Sequence, residues 1–124
     1  MLNIMTKFYP IRILAHMRNE VELNINVENN GHQPYWLEAD VILPSGVLSL
    51  APDKELLNGR MRGGIVFPNE SRIIRCKIYA NSGAYPDTYR IKIAAYAYDK
   101  EGVIAKREDT TAELRCERVS QPPR

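Results

Sequence analysis

The residues able to do chemistry are few here. There are two histidines, His16 and His32, and two cysteines, Cys76 and Cys116. No Gly-x-Ser-x-Gly, no phosphate-binding glycine motif and no Cys–His motif with supporting context occurs. A metal site or a general base needs converging partners. Neither histidine has an evident set, and both read as surface residues. The chain is expected to be non-catalytic, with no metal and no cofactor. Two isolated cysteines make neither a metal site nor a disulfide framework. Their place on inward faces leads us to expect two buried free thiols, with a disulfide between them as the lesser alternative.

Two groupings suit binding instead. Trp36, Tyr96 and Tyr98 would share an outer sheet face, and large aromatics together mark a protein interface. The plainer alternative is a local cross-strand cluster. Arg60 and Arg62 lie among glycines in Asn58–Gly64, a pattern that suits an anion or a nucleic-acid backbone. That stretch holds only two charges and no aromatic, and the net charge is +2. Nucleic acid is therefore disfavoured, and a flexible surface loop is the plainer reading. An exposed edge strand is a third means of recruiting a partner. A protein partner or self-association is the expectation.

The elements that position these groups are strands. Glu20–Asn29 alternates, with Val21, Leu23, Ile25 and Val27 on one face and Glu20, Glu22, Asn24, Asn26 and Glu28 on the other. In Tyr35–Leu43 one register buries Tyr35, Leu37, Ala39, Val41 and Leu43. The other would bury Glu38 and Asp40, at several kcal/mol each if unpaired. The first is chosen, and it places Trp36 outside. Arg72–Ala80 turns Ile74, Cys76 and Ile78 inward. Pro86–Asp99 turns Tyr89, Ile91 and Ile93 inward and leads into an Asp99–Gly102 hairpin loop with glycine in the left-handed position.

Lys7–His16 reads as one strand, put at an edge or made irregular by Pro10. Val47–Ala51 is a short strand. Pro52–Gly64 is irregular, with room for a helical turn at Asp53–Leu57, and Ile65–Phe67 is a short strand. After the hairpin, Val103–Lys106 returns, Arg107–Asp109 bulges or breaks the strand, and Thr110–Val119 finishes the sheet. Seven to nine short strands with turn signals between them predict an all-β, immunoglobulin-like Greek-key β-sandwich. One domain over residues 1–119 is expected, with a disordered tail over 120–124.

In that topology the outward acids Glu22 and Glu28 face Arg75 and Lys77. Glu38 and Asp40 lie near Arg90 and Lys92, and Trp36 near Tyr96 and Tyr98. Such pairs contribute about 0.2–1 kcal/mol each.

The segments Asn24–Gly31, Leu48–Pro52, Pro68–Ser71 and Tyr85–Ile93 carry a family resemblance. They resemble landmarks of the cell-adhesion-related (CARDB) and NEW3-like immunoglobulin-type domains of archaea and bacteria. In those domains a strand ending in Asn-x-Gly precedes a Pro-Gly-Glu-Ser-like turn and a Gly-x-Tyr strand. Asn69 stands here in place of the usual glycine. The resemblance covers about residues 20–117 and implies a structural or interaction module. It also implies a tyrosine corner at Tyr89, whose hydroxyl would tie back to the upstream loop. No apolar run approaches the roughly 18 to 20 residues of a membrane span. The first residues lack a continuous apolar core, so a cytoplasmic setting is expected, or an extracellular one for a piece of a longer exported chain.

Overall fold

Alternating aliphatic side chains build two layers that share one interior. The computed structural model describes residues 2–119, so the expected tail at 120–124 lies outside the described residues. The strands are β1 (Leu2–Tyr9), β2 (Arg12–Leu14), β3 (Asn19–Asn29), β4 (Tyr35–Ile42), β5 (Leu48–Ser49), β6 (Asn58–Val66), β7 (Ser71–Ala80), β8 (Asp87–Tyr98) and β9 (Ile104–Glu117). Among the described residues no helix forms.

A four-stranded sheet runs β1-β3-β7-β5, and a five-stranded sheet runs β2-β9-β8-β4-β6. Every pairing is antiparallel except β2 with β9. Leu23 and Ile25 of the first sheet share a core with Ile91 and Ile93 of the second, all at most 2% exposed. Each such side chain contributes about 1.5–3 kcal/mol on burial.

The register expected for β4 is the one observed. Tyr35, Leu37, Ala39, Val41 and Leu43 are buried and Trp36 is outside. Cys76 and Cys116 are buried free thiols. Burial pushes the Cys76 thiol up to about 11 and raises Cys116 as well. The tyrosine corner is present, with Tyr89 Oη donating to the Tyr85 carbonyl at 3.1 Å. The β8–β9 hairpin closes as expected, with Gly102 at φ 78° and Gly102 N donating to the Asp99 carbonyl at 3.0 Å.

Asn29 ends β3 fully buried. Its Nδ2 donates to the carbonyls of Gln33 (2.8 Å) and Val66 (3.2 Å), and its Oδ1 accepts from Gly31 N at 2.8 Å. One side chain thus ties the β3–β4 turn to the end of β6. Asn69 sits at φ 65°, a left-handed conformation that asparagine tolerates better than most residues.

Four expectations about local structure are corrected. The segment expected as one strand from Lys7 to His16 is two strands in different sheets. The chain passes Pro10 between β1 and β2, both of which lie at sheet edges. Asp53–Leu57 holds no helical turn. Asn58–Gly64 is not a loop but most of edge strand β6, continuous with Ile65 and Val66. Its glycines serve that strand. A Cβ on Gly63 would lie 2.8 Å from Ile74 of the facing sheet, and Gly64 takes φ 77° where the β4–β6 register slips. Finally, Arg107–Asp109 does not break the chain's last strand, because β9 runs through it and pairs with β8 throughout.

Candidate functional site

The outer face of the five-stranded sheet is organised in cross-strand rows. The first row is Ile65, Trp36, Tyr98 and Ile104. The second is Arg62, Glu38, Tyr96 and Arg107, and the third Arg60, Asp40, Ala94 and Asp109. Apolar side chains make the first row, and ion pairs dominate the next two.

Arg60 binds Asp40 with both ends of its fork, Nε to Oδ1 at 2.7 Å and Nη2 to Oδ2 at 2.9 Å. It also lies 3.6 Å from Glu38, which Arg62 approaches at 3.9 Å. Arg107 forks onto Asp109 at 2.9 and 3.3 Å. The guanidiniums of Arg60 and Arg107 stand 5.0 and 5.3 Å from the Tyr96 ring centre. Tyr96 is only 8% exposed, and each guanidinium makes a cation–π contact with its ring. The Arg60 hydrogen bonds hold the Asp40 carboxyl below its ordinary value. Desolvation first, then the Glu38 carboxylate, raises the Tyr98 phenol.

Beside this charged band the first row opens into a cleft of about 550 Å³. Trp36, Tyr98, Glu38, Arg62, Gly64 and Gly102 are among the residues lining it. Trp36 is 54% exposed and Ile104 52%. Two glycines with positive φ flank the aromatics, and a Cβ at either would meet nothing within 4 Å. Neither position carries a side chain that could cover the rings.

The sequence-derived site residues meet on this face, but in a different arrangement. Of the two tyrosines only Tyr98 stands opposite Trp36, and Tyr96 lies opposite Glu38. Tyr96 is buried beneath the two arginines rather than exposed. Glu38 and Asp40 are held by Arg62 and Arg60 of β6, not by Arg90 and Lys92. Arg90 pairs with Glu113 at 3.7 Å, and Lys92 faces Ile42. On the other sheet Glu22 does face Lys77, whereas Glu28 faces Ser71. Arg60 is engaged by two carboxylates, and Arg62 keeps an exposed head group. Ile65, Ile104, Arg107 and Asp109 belong to the face and were not singled out from sequence. His16 and His32 are both exposed. Among the described residues, no three His, Cys, Asp or Glu side chains group together as a metal site would require.

No protein-family model and no curated protein sequence matches the chain. Solved structures do resemble it. One is AvmM, which catalyzes macrocyclization in alchivemycin A biosynthesis. It is similar over 97% of this chain and 92% of its own, at 12% identity and a TM-score of 0.58. Another is a family 123 glycoside hydrolase from Clostridium perfringens, which acts on glycolipid glycans. There 97% of this chain overlies 28% of the enzyme, at 14% identity and a TM-score of 0.41. At 12% identity, the AvmM likeness is one of fold.

Proposed function

We propose that this chain is a non-catalytic, immunoglobulin-like Greek-key module that binds a protein partner through the Trp36 end of its five-stranded sheet. The strand orders β1-β3-β7-β5 and β2-β9-β8-β4-β6 support the immunoglobulin-like reading, as does the division of the first strand between sheets at Pro10. The Tyr89 corner and the Asn29–Gly31 tie support kinship with the CARDB and NEW3-like domains. Asn69 takes the left-handed turn that glycine usually fills there.

The observation that carries the binding reading is Trp36, more than half exposed over an open cleft beside charges that already have partners. A protein that covers this face gains aromatic burial and strands few ions, since the carboxylates stay paired with Arg60 and Arg62. The macrocyclase similarity suggests no reaction here. Of the two carboxylates lining the cleft, Glu38 is held by two guanidiniums and Asp99 accepts from the amides of Glu101 and Val103. Of the two arginines, an anion-binding role has only Arg62 to offer, since Arg60 is committed to Asp40 and Glu38.

The test uses the single tryptophan as its own reporter. A partner captured from the native source should blue-shift the emission of Trp36 on titration. Trp36→Ala should weaken that complex about thirtyfold or more, as loss of an interface anchor does. Equal capture by both proteins, with no change in emission, would overturn the proposal.

A further inference from the structure

The five-stranded sheet has one edge that is long, open and charge-patterned for its own image. β9 pairs with β8 from Ile104 to Cys116, with a bulge at Ala105, but on its other side β2 covers only Arg115–Glu117. Among the described residues, no backbone hydrogen bond reaches Ile104–Thr111 from that side, and the end of β1 with Ile11 comes up beside Ala112 and Glu113 only. An open edge offers its N–H and C=O groups to another strand.

Three edge strands compare poorly with it. β6 carries Arg60 and Arg62 and no acid, so two copies side by side would oppose like charges. Its Ile65 carbonyl is also capped by Arg72 Nε at 2.9 Å. β1 carries only Lys7, so it has no charge pair of its own to exchange. β5 is two residues long. β9 alone among these edges alternates signs on its outer face, with Arg107 and Asp109 two residues apart.

We infer that two copies of this chain pair antiparallel through their β9 edges about a two-fold axis at Glu108. A two-fold axis normal to the sheet keeps outer side chains on the outer face in both copies. With Glu108 on the axis, Arg107 of each copy stands opposite Asp109 of the other. Directly opposed side chains on paired strands have Cβ atoms about 4.5–5.5 Å apart. The intrastrand forks of 2.9 and 3.3 Å are then shared across the junction. The same register pairs Lys106 with Thr110 on the inner face, stops short of the bulge at Ala105, and ends before Arg115, where β2 begins. The two sheets become one of ten strands, and both Trp36 clefts open on the same continuous face. A partner with two copies of the recognised element would then gain from an effective local concentration. The pairing does not depend on Trp36 being the binding residue.

The register has a cost that makes it testable. The two Glu108 carboxylates meet at the axis, so Glu108→Gln tightens the dimer. Arg107→Glu sets a carboxylate opposite Asp109 of the other copy, and Asp109→Lys sets an ammonium opposite Arg107. Each reversal turns two attractive pairs repulsive and weakens the dimer about thirtyfold. In an equimolar mixture of the two variants every opposed pair is again of unlike sign, and a heterodimer forms.

Sedimentation of wild type at concentrations up to about 1 mM suits an edge contact of this size. The expected result is a dimer in the wild type, monomers for each reversal and a dimer for the mixture. Hydrogen exchange along Lys106–Thr110 should slow as wild-type concentration rises. Trp36→Ala should dimerise normally, which separates this inference from the partner-binding proposal. A monomeric wild type, or a dimer indifferent to both reversals, would overturn it. So would a mixture that stays monomeric.

Discussion

Replacing Asn29 with alanine removes a fully buried side chain that makes three hydrogen bonds. Two of them satisfy carbonyls, those of Gln33 and Val66, and the third anchors the amide of Gly31. Each bond has a net worth of about 1 kcal/mol, and stranding a buried acceptor costs a further ~1–3 kcal/mol. Val66 is fully buried, so water cannot readily replace Nδ2 there. Together these give a loss of about 3 kcal/mol. In a domain of this length that lowers the unfolding midpoint by roughly 12 °C. Asn30→Ala changes an exposed neighbour and should move the midpoint by less than about 3 °C. Thermal unfolding followed by far-ultraviolet circular dichroism checks both. A shift for Asn29→Ala as small as that of Asn30→Ala would refute the idea that this residue ties the β3–β4 turn to β6.

Ionisation supplies the other predictions. The Asp40 carboxyl is held below its ordinary value by Arg60, so the pair's stabilisation is present above the ordinary carboxylate range and fades as pH falls through the depressed value. Asp40→Asn should lower stability at pH 7 by about 0.5–1 kcal/mol, a value reduced by solvent screening. The gap from wild type should narrow as pH falls below the ordinary carboxylate range in denaturant titrations. The Cys76 thiol is pushed up to about 11 by burial, so unfolding releases its proton once pH passes the ordinary thiol value of about 8.5. Stability should then fall as pH rises from there toward 11. Both thiols should resist a disulfide reagent at about pH 8 and react only after denaturation.

Alternation made much of the core legible. Val21, Leu23, Ile25 and Val27 could face only one way, and the cost of burying Glu38 and Asp40 settled the register of β4. The Asp99–Gly102 loop and the Tyr89 corner were legible because each needs particular residues at fixed offsets. β6 was hidden because its three glycines and two arginines give no alternating apolar signal. Gly63 is there to let Ile74 of the facing sheet approach, which is a tertiary requirement. Missing β6 also misassigned the partners of Glu38 and Asp40, since only the β8 side of β4 was then in view. Arg107–Asp109 looked like a break because β9 lies at the sheet's side, where its residues on both faces meet water. The burial of Tyr96 depends on guanidiniums brought from β6 and β9, and no local pattern announces it.

The most direct test of the binding face is oxidative footprinting of the chain alone and in complex with its recovered partner, resolved residue by residue. Trp36 and Tyr98 should lose reactivity together on binding, while Met5 and Ile73 on the opposite outer face remain as reactive as before. Protection of Met5 and Ile73 with Trp36 unchanged would contradict the account and move the working surface to the four-stranded sheet.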